Sequence, residues 1–563
     1  MLKISLIRQA YDAWIEDKPK EFSFEFDYVT YFCKVDLNKA IEKDITIANF
    51  AQICKLEELA NFCIFPIATE QSVGSLDLGY RAIIQTNNEK KSTLFSADEL
   101  TSLPRFKRRI VATLAGASFI GSFRQLEHLY REKFKNIESV TIVNGVGYHS
   151  DLKLYLFPDY LVKMGKSVKK NSYDYFSVNS RLSIRLNEKC QWFSASLTPS
   201  RHQEWIIAFH RAFNNRGLVA LAFWFGSLFA QQIRHYYKFY PFLEITGVPG
   251  AGKSTLITFL NKLIGIKEGY EGVNPDNSSH AGIARLINQR LNLPLIFIEG
   301  DVIKDLKQKK IDFDQLKSLY NGNPFRATGV ADNSHEVIEI PFRGSLVISQ
   351  NERVSGSDAL QERLAYLHFD KKYHDSDNRK YAQQIEGWKI NDVSGFLFES
   401  ISKEEQVMLR LKELYPFYRE QFYQCEGLDN DRISENYALL LALLKVLDEC
   451  FELNVFDSDI KEYFQYLAIE RTNELKRDYS EVEMFWCAYE RLEQMGISPN
   501  HAKTNDQISI NISEIYELTS KHRIVMPTRN NRLIQMLRNG KNYHYLNDVT
   551  LDNRRCYTFI RRK

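Results

Sequence analysis

The run Gly247, Val248, Pro249, Gly250, Ala251, Gly252, Lys253, Ser254 sets three glycines ahead of a lysine and a hydroxyl. Glycines let successive backbone N–H groups turn inward around an anion, and a following helix adds its amino-terminal dipole. Lys253 then reaches the β- and γ-phosphates of a bound triphosphate, and Ser254 offers the hydroxyl that holds Mg²⁺. Thr255 is expected to pack or cap within the first helical turn. Such a loop works only between a strand and a helix. Apolar residues 242–246 supply the strand and the apolar spacing of 253–260 the helix.

Further along, residues 293–298 form an apolar run that ends in Glu299, Gly300 and Asp301, with Glu299 lying 46 positions after Lys253 (299 − 253). An acid at such a strand end can hold the Mg²⁺ shell or orient the attacking water, and Glu299, nearer the strand, ranks ahead of Asp301. The alternative is that both acids merely solvate the exit from a strand. A third strand, residues 344–351, ends in Gln350 and Asn351, where Asn351 can touch the γ-phosphate or the water; Asn also ends strands simply as a turn former. Arg363 stands alone before an apolar segment. A guanidinium that stays charged and matches phosphate oxygens can serve a neighbouring subunit as an arginine finger. The plainer reading is an arginine snorkelling from a helix that carries Leu360, Leu364 and Leu367. Arg343 and Arg326 are further candidates for nucleotide or DNA contact, or for surface ion pairs.

This ordered set, with Asn274 to Ser279 before the acidic strand and Arg432 to Ala438 after the core, resembles the helicase module of superfamily 3-like primase-helicases from phages, plasmids and integrated elements. The likeness covers roughly residues 240–450. It implies an AAA+-like ring ATPase, commonly hexameric, that uses ATP and Mg²⁺ to translocate on DNA. It also implies a β-hairpin entering the channel, for which residues 325–340, with Arg326, Asn333, Ser334 and His335, are available; a surface loop is the alternative. The chain departs from the full pattern, with no zinc-ribbon cysteines and no acid cluster before residue 240, so priming would fall to a separate primase. Asp312 and Asp314 follow the acidic strand and read as helical.

Several elements must position these residues. At 563 residues with 44% apolar content, the chain is long enough for three or four domains. The expected fold is multidomain α/β: an α+β region over 1–215, a P-loop AAA+-like parallel-sheet core over 216–395, a helical region over 396–480 and a winged-helix-like domain over 481–563. Residues 218–230 are the longest apolar run, too short to span a bilayer and better read as a buried helix. The amino terminus has no signal-peptide pattern, and the eight cysteines show no metal-ligand spacing; both fit a cytoplasmic protein with reduced, core cysteines.

The net charge of +3 excludes a general polycation, so any nucleic-acid surface is local. Basic residues concentrate after Lys521, including Arg523, Arg529, Arg532, Arg538, Arg554 and Arg555, against Asp548 and Asp552. Helix-like 531–538 and a closing hairpin suit a winged helix, with Tyr543, Tyr545 and Tyr557 stacking on unpaired bases or packing in its core. The alternatives are a solvated basic terminus and a partner-docking module. The expected activity is an ATP-dependent DNA helicase or translocase of a mobile genetic element, working as a homo-oligomeric ring. Two other readings stay open: a non-motor ATP-controlled DNA-binding initiator or switch, and a P-loop kinase.

Overall fold

The computed structural model describes all residues except 1, 41–44, 74, 180–181, 188–189, 271, 299–310, 326, 330–336, 352, 355, 372–375, 503–505, 530, 541–542, 552–553 and 562–563. The chain divides into two compact units, one mainly residues 1–144 with 168–189, the other mainly 190–563. The first is α+β. A six-stranded sheet mixes antiparallel hairpins, such as Cys63–Ser72 with Leu78–Gln85, and parallel pairs, such as Cys63–Ser72 with Glu138–Val143. Amphipathic helices Leu103–Thr113 and Phe123–Lys133 bury Phe106, Ile110, Leu126 and Leu129 in a core shared with Ile64, Ala82 and Phe95.

The second unit holds the loop of interest. Its strands β1 (Phe242–Gly247), β2 (Pro294–Ile298), β3 (Ala327–Gly329), β4 (Val337–Glu339), β5 (Ser345–Gln350) and β6 (Leu364–Phe369) follow in chain order. Four of them make a parallel sheet in the order β2-β5-β1-β6. These strands read as near-continuous apolar runs because helices cover both faces, and Leu243, Ile245, Leu295, Ile296, Leu346, Val347, Leu364 and Leu367 are all fully buried. Each such side chain contributes about 1.5–3 kcal/mol relative to exposure. β3 and β4 pair antiparallel, Ala327 with Glu339, so the hairpin reading of this interval holds over the surface loop; Arg326, Asn333, Ser334 and His335 lie outside the described residues.

Helix α1 (His202–Ser227) carries the long apolar run, buried from Gly217 to Ser227, and breaks at Asn214, whose φ of 51° and ψ of −155° are non-helical. Both of its halves lie in the second unit. Among the described residues, no helix is long and apolar enough to cross a membrane. α2 (Lys253–Leu263) and α3 (Ser376–Gly387) flank the loop; α4 (Glu404–Tyr423) and α5 (Asp431–Phe451) follow, with Leu439, Leu440, Leu443 and Leu444 wholly buried. α6 (Ser458–Gln494) is 37 residues long and leads to the tail.

The tail runs β7 (Ile508–Ile510), α7 (Ile512–Lys521), α8 (Asn531–Arg538), β8 (Tyr543–Leu551) and β9 (Arg554–Arg561), with the sheet ordered β7-β9-β8. Leu533, Leu537, Tyr557 and Phe559 pack with Phe485, Trp486 and Tyr489 of α6 in one core. All eight cysteines are free, but only Cys33, Cys63, Cys450 and Cys556 are buried, so the core reading fits half of them.

Candidate nucleotide-binding site

β1 delivers the glycine loop and α2 begins immediately after it, at Lys253. Gly247 has φ of 146° and Gly250 φ of 78°, backbone states that L side chains rarely adopt. A Cβ on Gly247 would lie 2.0 Å from the Phe369 carbonyl oxygen, so the strand pair β1/β6 requires glycine there; near Gly250 the closest atom is the Lys371 side chain at 3.5 Å. Lys253 Nζ donates to the Gly247 carbonyl, and to Asn351 Oδ1 at 3.1 Å. Asn351 follows β5, which lies directly beside β1, so the ladder itself brings lysine and amide together. This pairing of an early motif with one 98 residues later is a tertiary fact.

The loop opens into a cavity of about 600 Å³, lined by Pro249, Lys253, Ser254, Thr255, Gln350 and Asn351 on the loop side. Thr255 Oγ1 donates to Glu386 Oε1 of α3 at 2.8 Å, tying the first turn of α2 to α3. The strand expected to end in the acids, β2, is separated from β1 by β5, so its carboxyl end is one strand further from the loop than direct adjacency would place it. Glu299 and Asp301 themselves lie outside the described residues.

The same cavity is lined by residues that sequence reasoning missed: Asp370, Asn378, Arg379 and, from the broken turn of α1, Asn214 and Arg216. Asp370 ends the apolar strand β6 just as Glu299 follows β2, so the signal used for one was present for the other. Arg379 sits on the exposed polar start of α3, where nothing in the local pattern sets it apart from neighbouring charges.

Arg363 is not in this cluster. It immediately precedes β6, and its carbonyl accepts from Phe242 N at 3.0 Å, which puts it at the start of the sheet while the loop is at the end. The six residues of β6 separate the two by roughly 20 Å at ~3.3 Å per residue. Its guanidinium lies 5.3 Å from the Tyr320 ring centroid and donates to the Ala359 carbonyl, and burial lowers its pKa from the usual arginine value. Leu364 and Leu367 belong to a strand, not to a helix carrying Arg363, because parallel pairing with β1 satisfies their backbone. Arg343, also at a strand start, is largely buried and its pKa is lowered by desolvation. Asp312 caps the 3₁₀ helix Phe313–Asn321, and Asp314 accepts from Ser357 N and Oγ, so both are structural.

In the tail, Tyr543 is 3% exposed and stacks on Trp486 with centroids 3.8 Å apart, and Tyr557 is 8% exposed; for these two the core alternative holds. Asp548 accepts from Arg538 at 2.8 Å and Arg555 at 2.6 Å, which neutralises part of the basic excess.

No protein-family model matches the chain, and no curated protein matches it in sequence. Among solved structures, one described as SCCmec type IV Cch, active helicase, superposes with a TM-score of 0.52 at 15% identity, covering 95% of this chain and 98% of that one. The apo C-terminal region of NrS-1 gives 0.28 at 10% identity over 88% and 96% of the two chains. A ligand-bound JCV helicase gives 0.18 at 14% identity over 50% and 66%. The first likeness establishes a shared fold, a mixed α/β chain with parallel-sheet elements.

Proposed function

We propose, from the premise of a fold shared with a helicase, that this chain is a Mg²⁺-dependent ATPase that works on DNA, assembled as a homo-oligomeric ring of the superfamily 3 type. The observation that carries the reading is Lys253 Nζ held 3.1 Å from Asn351 Oδ1 at the mouth of a glycine loop with an open cavity beyond it. ATP fits this donor set, with left-handed glycines leaving room for phosphate oxygens, a lysine at hand and Ser254 lining the same space. Mg²⁺ held through phosphates needs only one or two protein ligands, for which Ser254 and one of Glu299, Asp301 or Asp370 are proposed. The bound metal would offset charge on the phosphates.

The chain's own residues supply the rest. The loop N–H groups orient the β-phosphate, and Lys253 exchanges its carbonyl partner for phosphate oxygens. Asn351 positions the attacking water, and Arg379 adds positive charge from α3. Arg363, at the far end of the sheet, contributes to hydrolysis only across a subunit boundary. Residues 481–563 have the order of a winged helix, with α8 and the β8/β9 hairpin as the proposed DNA-binding parts. The setting proposed is replication of a mobile genetic element.

Purified protein, given radiolabelled ATP and a forked duplex, is expected to release phosphate and separate the strands, and Lys253→Ala to lose both. Hydrolysis without strand separation by the wild-type protein would favour the initiator or switch reading; phosphate transfer to a small molecule in place of water would favour a kinase.

A further inference from the structure

Beside the triphosphate cavity, and sharing Asn214 and Arg216 with it, lies a second recess of about 720 Å³. Its walls come from β6, from α6 and from α8, elements that no local pattern relates to one another. Tyr366 and His368 rise from β6 with ring centroids 6.4 Å apart and 26° between planes. Across from them α6 presents Tyr463 and Tyr466, three residues apart on one helix face, with centroids 6.3 Å apart. Tyr466 is 51% exposed and lines the lip of the cavity. Arg532 of α8, in the basic tail, completes the rim.

The chemistry of this lining is selective. Tyrosine faces bind flat π-systems whatever their sequence, and guanidinium groups bind phosphate. The recess also holds carboxylates, which argues against a bare phosphate as occupant. Glu474 is taken up by Arg353, and Glu470 is exposed and lines the wall. A carboxylate beside stacking rings suits the N–H edge of a nucleobase, which donates where phosphate cannot. The volume is in the range of a small-molecule site and admits one or two nucleotides. The floor reaches the glycine loop, since Tyr366 Oη lies 2.8 Å from Oγ1 of Thr246, the residue before Gly247.

We infer that this recess takes an unstacked nucleotide of a single-stranded nucleic acid, its base against Tyr463 and Tyr466 and its phosphate toward Arg216 and Arg532. A duplex presents no free base face and is excluded from the recess. The inference rests on the reading of the chain as a nucleic-acid-dependent ATPase, but it is tested by binding alone, so its failure is separable from a failure to hydrolyse ATP.

The test is fluorescence anisotropy of the full chain with labelled single-stranded DNA of about 20 nucleotides, the matching RNA and the matching blunt duplex, using Tyr466→Ala and Tyr466→Phe. Tyr466→Ala is expected to weaken single-strand binding by about 5–150-fold, the range for loss of one stacked base, and to leave duplex binding within about twofold. Tyr466→Phe keeps the ring and is expected to retain wild-type affinity. Loss on both DNA and RNA assigns the recess to either strand, and loss on DNA alone assigns it to DNA. Binding of a fluorescent ATP analogue and an unchanged melting curve verify the fold of each variant. The inference is overturned if Tyr466→Ala binds single strands like wild type, if single-strand and duplex binding fall together, if Tyr466→Phe is as weak as Tyr466→Ala, or if the wild-type protein binds no single strand.

Discussion

Two alanine substitutions in one loop should differ sharply, because the two glycines sit in different surroundings. At Gly250 the backbone is left-handed, with φ of 78°, but the space is open, the nearest atom being the Lys371 side chain at 3.5 Å. The cost of Gly250→Ala is therefore the left-handed conformation alone, about 1–2 kcal/mol, or a roughly 5–30-fold weaker grip on nucleotide if the loop relaxes when empty. At Gly247, φ of 146° is a backbone state that costs an alanine at least as much, and a Cβ would also stand 2.0 Å from the Phe369 carbonyl oxygen. Reaching even 3.0 Å requires β1 and β6 to part by 1.0 Å (3.0 − 2.0), at the position where Gly247 pairs with Phe369. Losing one or two ladder hydrogen bonds adds about 1–3 kcal/mol, so Gly247→Ala should cost about 2–5 kcal/mol and weaken nucleotide binding by roughly 30- to 5,000-fold. Titration with a fluorescent ATP analogue, beside thermal melting of each variant, measures both effects. Gly247→Ala binding nucleotide within threefold of wild type, or more tightly than Gly250→Ala, would refute the steric reasoning and with it the register assigned to β1 and β6.

Other perturbations separate the roles of individual groups. Arg379→Ala should weaken ATP binding about 10-fold, as loss of a charge-assisted contact of about 1.5 kcal/mol, while Arg363→Ala should bind ATP normally and lose hydrolysis. Recovery of hydrolysis on mixing Arg363→Ala with Lys253→Ala protein would support a contribution across the ring, and reduced ATP binding by Arg363→Ala would count against it. His149, 7% exposed and bonded to the Gly145 carbonyl at 3.0 Å, has its pKa lowered to about 4, first by burial and then by the Arg343 charge. Its neutral form is the one that fits, so its stabilisation is full above pH 6.5 and is lost as pH falls toward about 4, by up to ~3 kcal/mol. His149→Gln should flatten the dependence of melting temperature on pH in that window, and an unaltered slope would remove His149 as its source. Arg532→Ala with Arg554→Ala should reduce the salt slope of single-strand binding by about 0.7 per lost phosphate contact. Deleting residues 521–563 is the poorer test of the tail, since it would strip Leu533, Leu537 and Phe559 from the core under Trp486.

Where a function depends on neighbours in sequence, the residues announce it. The glycine loop, its strand and its helix were legible because backbone conformation and helix start are local, and the buried run before them was legible because its apolar length is local too. The hairpin of residues 327–339 was half legible, since alternation suggests strands but only the pairing of Ala327 with Glu339 makes them a hairpin. Arg363 was misjudged in its setting because Leu360, Leu364 and Leu367 have helical spacing, and pairing with β1 overrides that periodicity in favour of strand. Tyr543 looked available for bases because its partner Trp486 lies on a helix 57 residues earlier (543 − 486), and Tyr557 because the core that buries it is shared with that same helix.

By itself the sequence determined a glycine-rich loop between strand and helix, an apolar sheet and a basic tail, since each is written in adjacent residues and their short-range chemistry. Only the tertiary structure decided that β5 lies between β1 and β2, that Asn351 meets Lys253 while Arg363 stands at the far end of the sheet, and that Asp370 and Arg379 share the cavity. The reason is physical. Strand order and helix docking are set by how whole faces bury against one another, and that depends on the sum of distant contacts which no local spacing records.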